Sequence, residues 1–281
     1  MAQERKGPLH KDATRGRTEV SAREPATTTT PSLLVIVDPT ARRLDGESVR
    51  IAKDVLSAGA PVKLCLPESP REYARALARR GSRRPVLIGD DRSLVRAVTQ
   101  LHQERELAEA DLAMVPVGSG GALRLARHLG VPASAVTAAR AVLDGQPRRL
   151  DLLVDDSDGV VLGELHVPAP PRPAGRVPWL RRSPATRTGP IPLRVEADGR
   201  LVADLDHPVH SVTLAPGTDG SVRAEVRATA TADAPSSGGT YAGVVTVSGP
   251  DFHYKADGRT LGPVRTRTWR VRGAAWSLVL P

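Results

Sequence analysis

Four times in the first half of the chain, an apolar run ends in a turn and gives way to helical spacing. The runs are SLLVIV at 32–37, VKLCL at 62–66, VLIG at 86–89 and LAMVPV at 112–117. Apolar runs without alternation mark strands covered on both faces. Between them, Val49, Ala52, Val55 and Leu56 fall on one side of a helix. PREYARALARRG at 70–81 has Pro70 at its start and Gly81 at its end, the usual helix punctuation. LVRAVTQLHQ at 94–103, ALRLARHLG at 122–130 and ASAVTAARAVLDG at 133–145 continue the series. Strand alternating with helix predicts an α/β domain over 32–147, a parallel sheet with helices on both faces.

The rhythm changes at residue 148. RRLDLLVDDSDGVVLGELHVP reads as two strands around an Asp/Gly turn. Residues 168–190 are dense in proline and arginine and read as a loop. Short alternating or β-branched runs follow: IPLRVEADGRLVADL, PVHSVTLAP, SVRAEVRATA, YAGVVTVSG, PVRTRTWRV and WSLVLP. They predict an all-β C-terminal sandwich over 148–281. Residues 1–31 are polar and basic without an apolar segment, as a disordered tail would be rather than a secretory signal.

Composition narrows the function classes. The chain has 281 residues, a net charge of +9 and a pI near 10.5, which favours anionic partners. Aromatic residues make up 2%, so leucine, valine and alanine must fill the core. The one cysteine, Cys65, excludes an internal disulfide and reads as a small buried apolar side chain in a cytoplasmic protein. No apolar run reaches the ~18 residues that span a bilayer. GRVPWLRR at 175–182 places Trp179 among arginines, as either a solvated basic loop or a contact with an anionic membrane surface would. The scattered histidines have no metal-site spacing. Without a recognition helix, stacking platform or zinc site, nucleic acid is not expected as a partner.

Ligands of such sheets bind at the carboxyl ends of the strands. Three turns belong there: DPTARR at 38–43, GDDRS at 89–93 and GSGG at 118–121. A phosphate cradle needs bare backbone N–H groups. Gly118, Gly120 and Gly121 supply them, with the Ser119 hydroxyl beside; a tight turn without a ligand has the same composition. Asp91 reads equally as a functional carboxylate or as a cap on the next helix.

VDPTAR at 37–42, GDDRSLVRAV at 89–98, PVGSGG at 116–121 with ARHLGVP at 126–132, and RRLDLLV at 148–154 resemble, in order and spacing, the diacylglycerol kinase catalytic domain family. In its bacterial group this family also resembles sphingosine kinases. ADGRTLGPVRTRTWRV and the closing WSLVLP are similar to that family's C-terminal domain. The resemblance implies an ATP- and Mg²⁺-dependent lipid kinase. Its substrate would be diacylglycerol or a related lipid, met peripherally at the inner membrane face. It assigns Asp38, Thr40, Gly89, Arg92, Ser93, Gly118, Ser119 and Gly120 to the nucleotide, and Asp91 to catalysis or Mg²⁺.

The motifs depart from the family pattern. Asp38 and Arg42 replace asparagine and glycine, Asp90 and Arg92 occupy glycine positions, and Gly121 replaces asparagine. Where related bacterial enzymes carry a glutamate base after Asp-Gly, Asp257-Gly258 is followed by Arg259. Asp90 would bring a negative charge toward phosphate, and a Cβ where glycine had positive φ would strain the turn. Pairing of Arg92 with Asp90, or with phosphate, would offset the charge. The alternative implied is a catalytically degenerate module that binds nucleotide or lipid without turnover.

Overall fold

The computed structural model describes residues 31–168, 189–217, 219–228 and 238–281. Nearly all of the 1–31 tail and most of the 168–190 loop, with Trp179, lie outside the described residues.

The first half builds β1 (Leu33–Val37), α1 (Pro39–Leu44), α2 (Gly46–Gly59), β2 (Val62–Cys65), α3 (Pro70–Ala78), β3 (Arg84–Gly89), α4 (Asp91–Gln103), β4 (Asp111–Pro116), α5 (Arg124–His128) and α6 (Ala135–Asp144). Strands β2, β1, β3 and β4 pair in that order, all parallel. Alternate side chains go to opposite faces, as the pleat requires. Leu34, Ile36, Leu87, Leu112 and Met114 pack on one side with Leu77, Leu94 and Leu101 of α3 and α4. Leu33, Val35, Val86, Ile88, Ala113 and Val115 pack on the other with Ala52 and Leu56 of α2 and Ala139 and Val142 of α6. The apolar runs are continuous because both faces are covered.

β2 departs from this rule. It is an edge strand with Lys63 and Leu64 exposed, and Cys65 is half-buried. Burial pushes the Cys65 thiol up. The stretch 122–130 is not one helix: a 3₁₀ turn at Gly120–Leu123 precedes the five-residue α5.

The second half adds β5 (Gln146–Asp155), β6 (Val160–Val161), β7 (Leu165–Val167), β8 (Arg194–Ala197), β9 (Arg200–Ala203), β10 (Val209–Pro216), β11 (Val222–Ala228), β12 (Gly238–Ala242), β13 (Val244–Ala256) and β14 (Arg259–Leu280). Apart from the parallel contact of β14 with β4, these strands pair antiparallel, and their inward side chains form one core around Val195, Val212, Leu214, Val245 and Trp269. Asp198-Gly199 and Asp257-Gly258 turn two of the hairpins with φ positive at both residues, the backbone that two-residue hairpin loops need.

WSLVLP does not stay with the β core. β14 runs beyond it, pairs with β4 in parallel through Ser277–Asp111, and pairs with β5 along both regions. Trp276, Leu278 and Leu280 are buried among the leucines of α3 and α4. A 22-residue strand is long enough to serve two cores: a register shift between Arg272 and Trp276, with Ala274 at positive φ, marks the passage, and Trp276 to Leu280 are all buried. Among the described residues, no helix is long and apolar enough to cross a membrane.

Candidate functional site

β1, β3 and β4 each end at the same rim, and each is followed by a helix whose first amides point toward it. Asp38 ends β1 and caps α1, its Oδ1 accepting Thr40 N–H at 2.7 Å. Its Oδ2 accepts the Ser93 hydroxyl at 3.1 Å, and the Arg96 guanidinium lies 3.7 Å away. Asp90 ends β3 and caps α4, accepting from Arg92 N–H at 3.0 Å and Ser93 N–H at 3.3 Å. Asp91 reaches past its own helix to α5, accepting Leu125 N–H at 2.8 Å and Ala126 N–H at 2.9 Å.

A helix N-terminus favours an anion because its first N–H groups are unpaired and its dipole is positive there. Here the chain supplies the anion itself, with one aspartate for each of the three helices. Asp90 therefore does more than repel phosphate. Its carboxylate occupies the amides that a phosphate at α4 would use.

The positions identified in the sequence separate into two groups. Asp38, Gly89, Ser93 and Gly118 come together with Asp90. A Cβ built on Gly89 would lie 2.5 Å from Ser93 Oγ and 3.0 Å from Asp38 Cβ. A Cβ on Gly118 would lie 3.4 Å from that of Asp90. Thr40, Ser119 and Gly120 stand exposed, and the Gly120 carbonyl accepts from the Arg127 guanidinium. Arg92 is exposed and faces a cleft beside the rim.

Two expectations are corrected. Asp90 has φ −95°, and neither it nor Arg92 has positive φ, so the turn is unstrained. The strand–cap–helix geometry needs only extended backbone at position 90, which aspartate adopts freely. Arg92 engages Asp90 through its backbone N–H, not through its guanidinium.

The cleft is a cavity of about 580 Å³ between the two cores. Asp91, Arg92, Arg124 and His128 line it from the first domain, and Glu164, His166, Arg223, Lys255 and Asp257 from the second. Asp257 sits in the β13–β14 turn, where its carboxylate accepts Leu162 and Gly163 N–H, both at 2.8 Å. Burial pushes its carboxyl up to about 6, against the pull of those two N–H groups, and the Asp91 charge adds to the rise. Asp91 is raised as well, first by burial and then by Asp90, while the α5 amides pull it down. Leu125 and Gly163 pack between the two carboxylates: a Cβ on Gly163 would lie 2.9 Å from Leu125 Cδ1 and 3.1 Å from Asp257 Oδ1.

Sequence reading noticed Asp257 only through its neighbour Arg259, and passed over Arg124, Arg223 and Lys255. The Asp-Gly pair was the available signal for Asp257. Nothing local could place Arg223 opposite Arg124. Among the described residues no cluster of three or more histidine, cysteine or acidic side chains could hold a metal. Asp91 remains a candidate for a Mg²⁺ ion that takes most of its oxygens from phosphates and water.

Residues 32–154 match the family model for the diacylglycerol kinase catalytic domain. Among curated proteins, none matches the chain. Three solved structures from Bacillus anthracis str. Sterne share the fold at 13% identity. "A putative diacylglycerol kinase" has a TM-score of 0.69, covering 91% of this chain and 98% of that one. A second structure of a "putative diacylglycerol kinase" gives 0.71 with 92% and 98% covered, and one described as "a diacylglycerol kinases" gives 0.67 with 91% and 98%. The fold of these structures thus spans nearly the whole chain, and residues 32–154 are where it matches the diacylglycerol kinase catalytic domain model.

Proposed function

We propose that the protein is an ATP-dependent lipid kinase of weak nucleotide affinity, acting on the hydroxyl of diacylglycerol or a related lipid in the cleft. The observation that carries this reading is Asp257. A half-buried carboxyl whose pKa is near 6 is ionised at neutral pH yet basic enough to accept a proton, as a general base must. Asp257 takes the acceptor's proton as that oxygen bonds to the γ-phosphorus and the bond to the ADP oxygen breaks. Asp91, across Leu125, orients the acceptor or a phosphate-bound Mg²⁺. ATP supplies the phosphoryl group. The exposed Ser119, Gly120 and Gly121 and the Arg92 guanidinium are the groups left to hold it, because Asp38, Asp90 and Ser93 are engaged within the chain. The membrane is met peripherally.

The second reading, a module that binds nucleotide or lipid without turnover, is favoured by those engaged aspartates. Transfer of label from γ-labelled ATP to mixed lipid micelles separates the two. Transfer that falls at least a hundredfold in Asp257→Asn supports the kinase. Lipid binding without transfer supports the module.

A further inference from the structure

The cleft holds positive charge that its carboxylates do not use. Arg92 and Arg124 face it from the first domain, and Arg223 on β11 and Lys255 on β13 face it from the second. Among the described residues none of these four makes an ion pair. The three carboxylates there have other partners. Asp91 and Asp257 each hold two backbone N–H groups, and Glu164 lies 3.2 Å from His166 Nε2.

The strand register fixes the direction of the second pair. Val222 and Ala224 are buried in the β core, so Arg223 between them turns outward. Arg223 stands opposite Ala215, and Lys255 opposite His166, on strands joined through β7 and β10. Ala215 is small, and Gly121 and Gly258 have open space around them, so no described residue blocks access between the two walls.

Like charges from two domains around one cavity repel each other, and an anion placed between them removes the repulsion. Guanidinium groups match phosphate oxygens in pairs, and a compact phosphate reaches both walls at once. A cavity of about 580 Å³ suits a small molecule or a headgroup with its first carbons.

We propose that the cleft binds a phosphate ester, held by Arg92 and Arg124 on one wall and by Arg223 and Lys255 on the other. The ligand that belongs there carries a phosphate of its own, as a phosphorylated lipid headgroup or a free phosphate ester does. This rests on the same cleft as the kinase reading and requires no phosphoryl transfer.

The test omits ATP and Mg²⁺. The full chain is titrated with sn-glycerol 3-phosphate, with short-chain phosphatidic acid, and with the matching short-chain diacylglycerol as the neutral control. Thermal stability and calorimetry are the readouts. A phosphate ligand should raise Tm further than the neutral lipid does, and its affinity, unlike that of the neutral lipid, should fall as salt rises. Arg223→Ala with Lys255→Ala should lower that affinity at least tenfold without lowering the unliganded Tm, since neither side chain makes an ion pair among the described residues and their removal relieves repulsion. Arg124→Ala should do the same from the opposite wall. Binding of both phosphate ligands assigns the phosphate alone as determinant; binding of phosphatidic acid alone assigns a lipid headgroup. Either result supports the proposal. Absence of binding by both, or affinity unchanged in the double variant and in Arg124→Ala, overturns it. A failure of phosphoryl transfer leaves these outcomes untouched.

Discussion

The rim of the parallel sheet and the cleft beside it are both built with aspartates, and they use them differently. At the rim, Asp38 and Asp90 turn onto the chain's own amides, a serine hydroxyl and an arginine, and Gly89 is too closely packed to admit a Cβ. In the cleft, Asp91 and Asp257 also accept two amides each, yet they border an open cavity beside cations that make no ion pair among the described residues. A carboxylate that satisfies a helix end closes an anion site; one next to a cavity, with its pKa raised, is the proton acceptor that the proposed kinase function requires. The position of each aspartate relative to open space decides its role.

The largest expected effect tests whether the two regions are coupled. Trp276 is fully buried in the first domain although its strand comes from the second, and its Nε1 donates to the Asp151 carbonyl at 3.2 Å. Trp276→Ala should cost about 3–5 kcal/mol. Chemical denaturation followed by far-UV dichroism should remain one transition, and a split into two would show that rim and cleft belong to separable units. Gly89→Ala comes next. Its Cβ meets Ser93 Oγ and Asp38 Cβ in a packed rim, so the loss should be about 1–3 kcal/mol by the same method. A neutral result would mean that the rim is looser than described.

Asp257 sharpens the contrast through pH. Its folded pKa, about 6, lies above its ordinary value of 3.8, so the native state holds the proton more tightly than the unfolded chain. That contribution is present below pH 4 and is lost as pH rises through 6. The stability of the wild type relative to Asp257→Asn should therefore fall by on the order of 2 kcal/mol between pH 4 and pH 7. A flat difference would remove the basis for the general-base role. The smallest stability effect belongs to Asp90→Gly, a few tenths of a kcal/mol, because glycine is itself an acceptable N-cap.

Much of the fold was legible before the structure. The runs at 32–37, 86–89 and 112–117 are buried on both faces, which is why they lack alternation. The Asp-Gly pairs at 198–199 and 257–258 mark hairpins because those residues accept positive φ. WSLVLP was misplaced because an apolar run reports that a strand is buried, not which core buries it. GDDRS was legible as a rim turn and as a departure from a glycine-rich one, but its chemistry was read as repulsion. That Asp90 caps its own helix while Asp91 accepts the first amides of α5 depends on where the chain returns after the 3₁₀ turn at Gly120–Leu123, and no local pattern encodes it. The cations of the cleft come from residues 92, 124, 223 and 255, too far apart in the chain for spacing to unite them.

Titration of Mg-ATP into the wild type and into Asp90→Gly tests the central claim most directly. Freeing the Arg92 and Ser93 amides and removing a charge worth about 1 kcal/mol in water, and about 4 at an effective dielectric of 20, should tighten binding at least tenfold. Equal affinity in the two proteins would mean that the Asp90 carboxylate does not stand where the nucleotide's phosphates would.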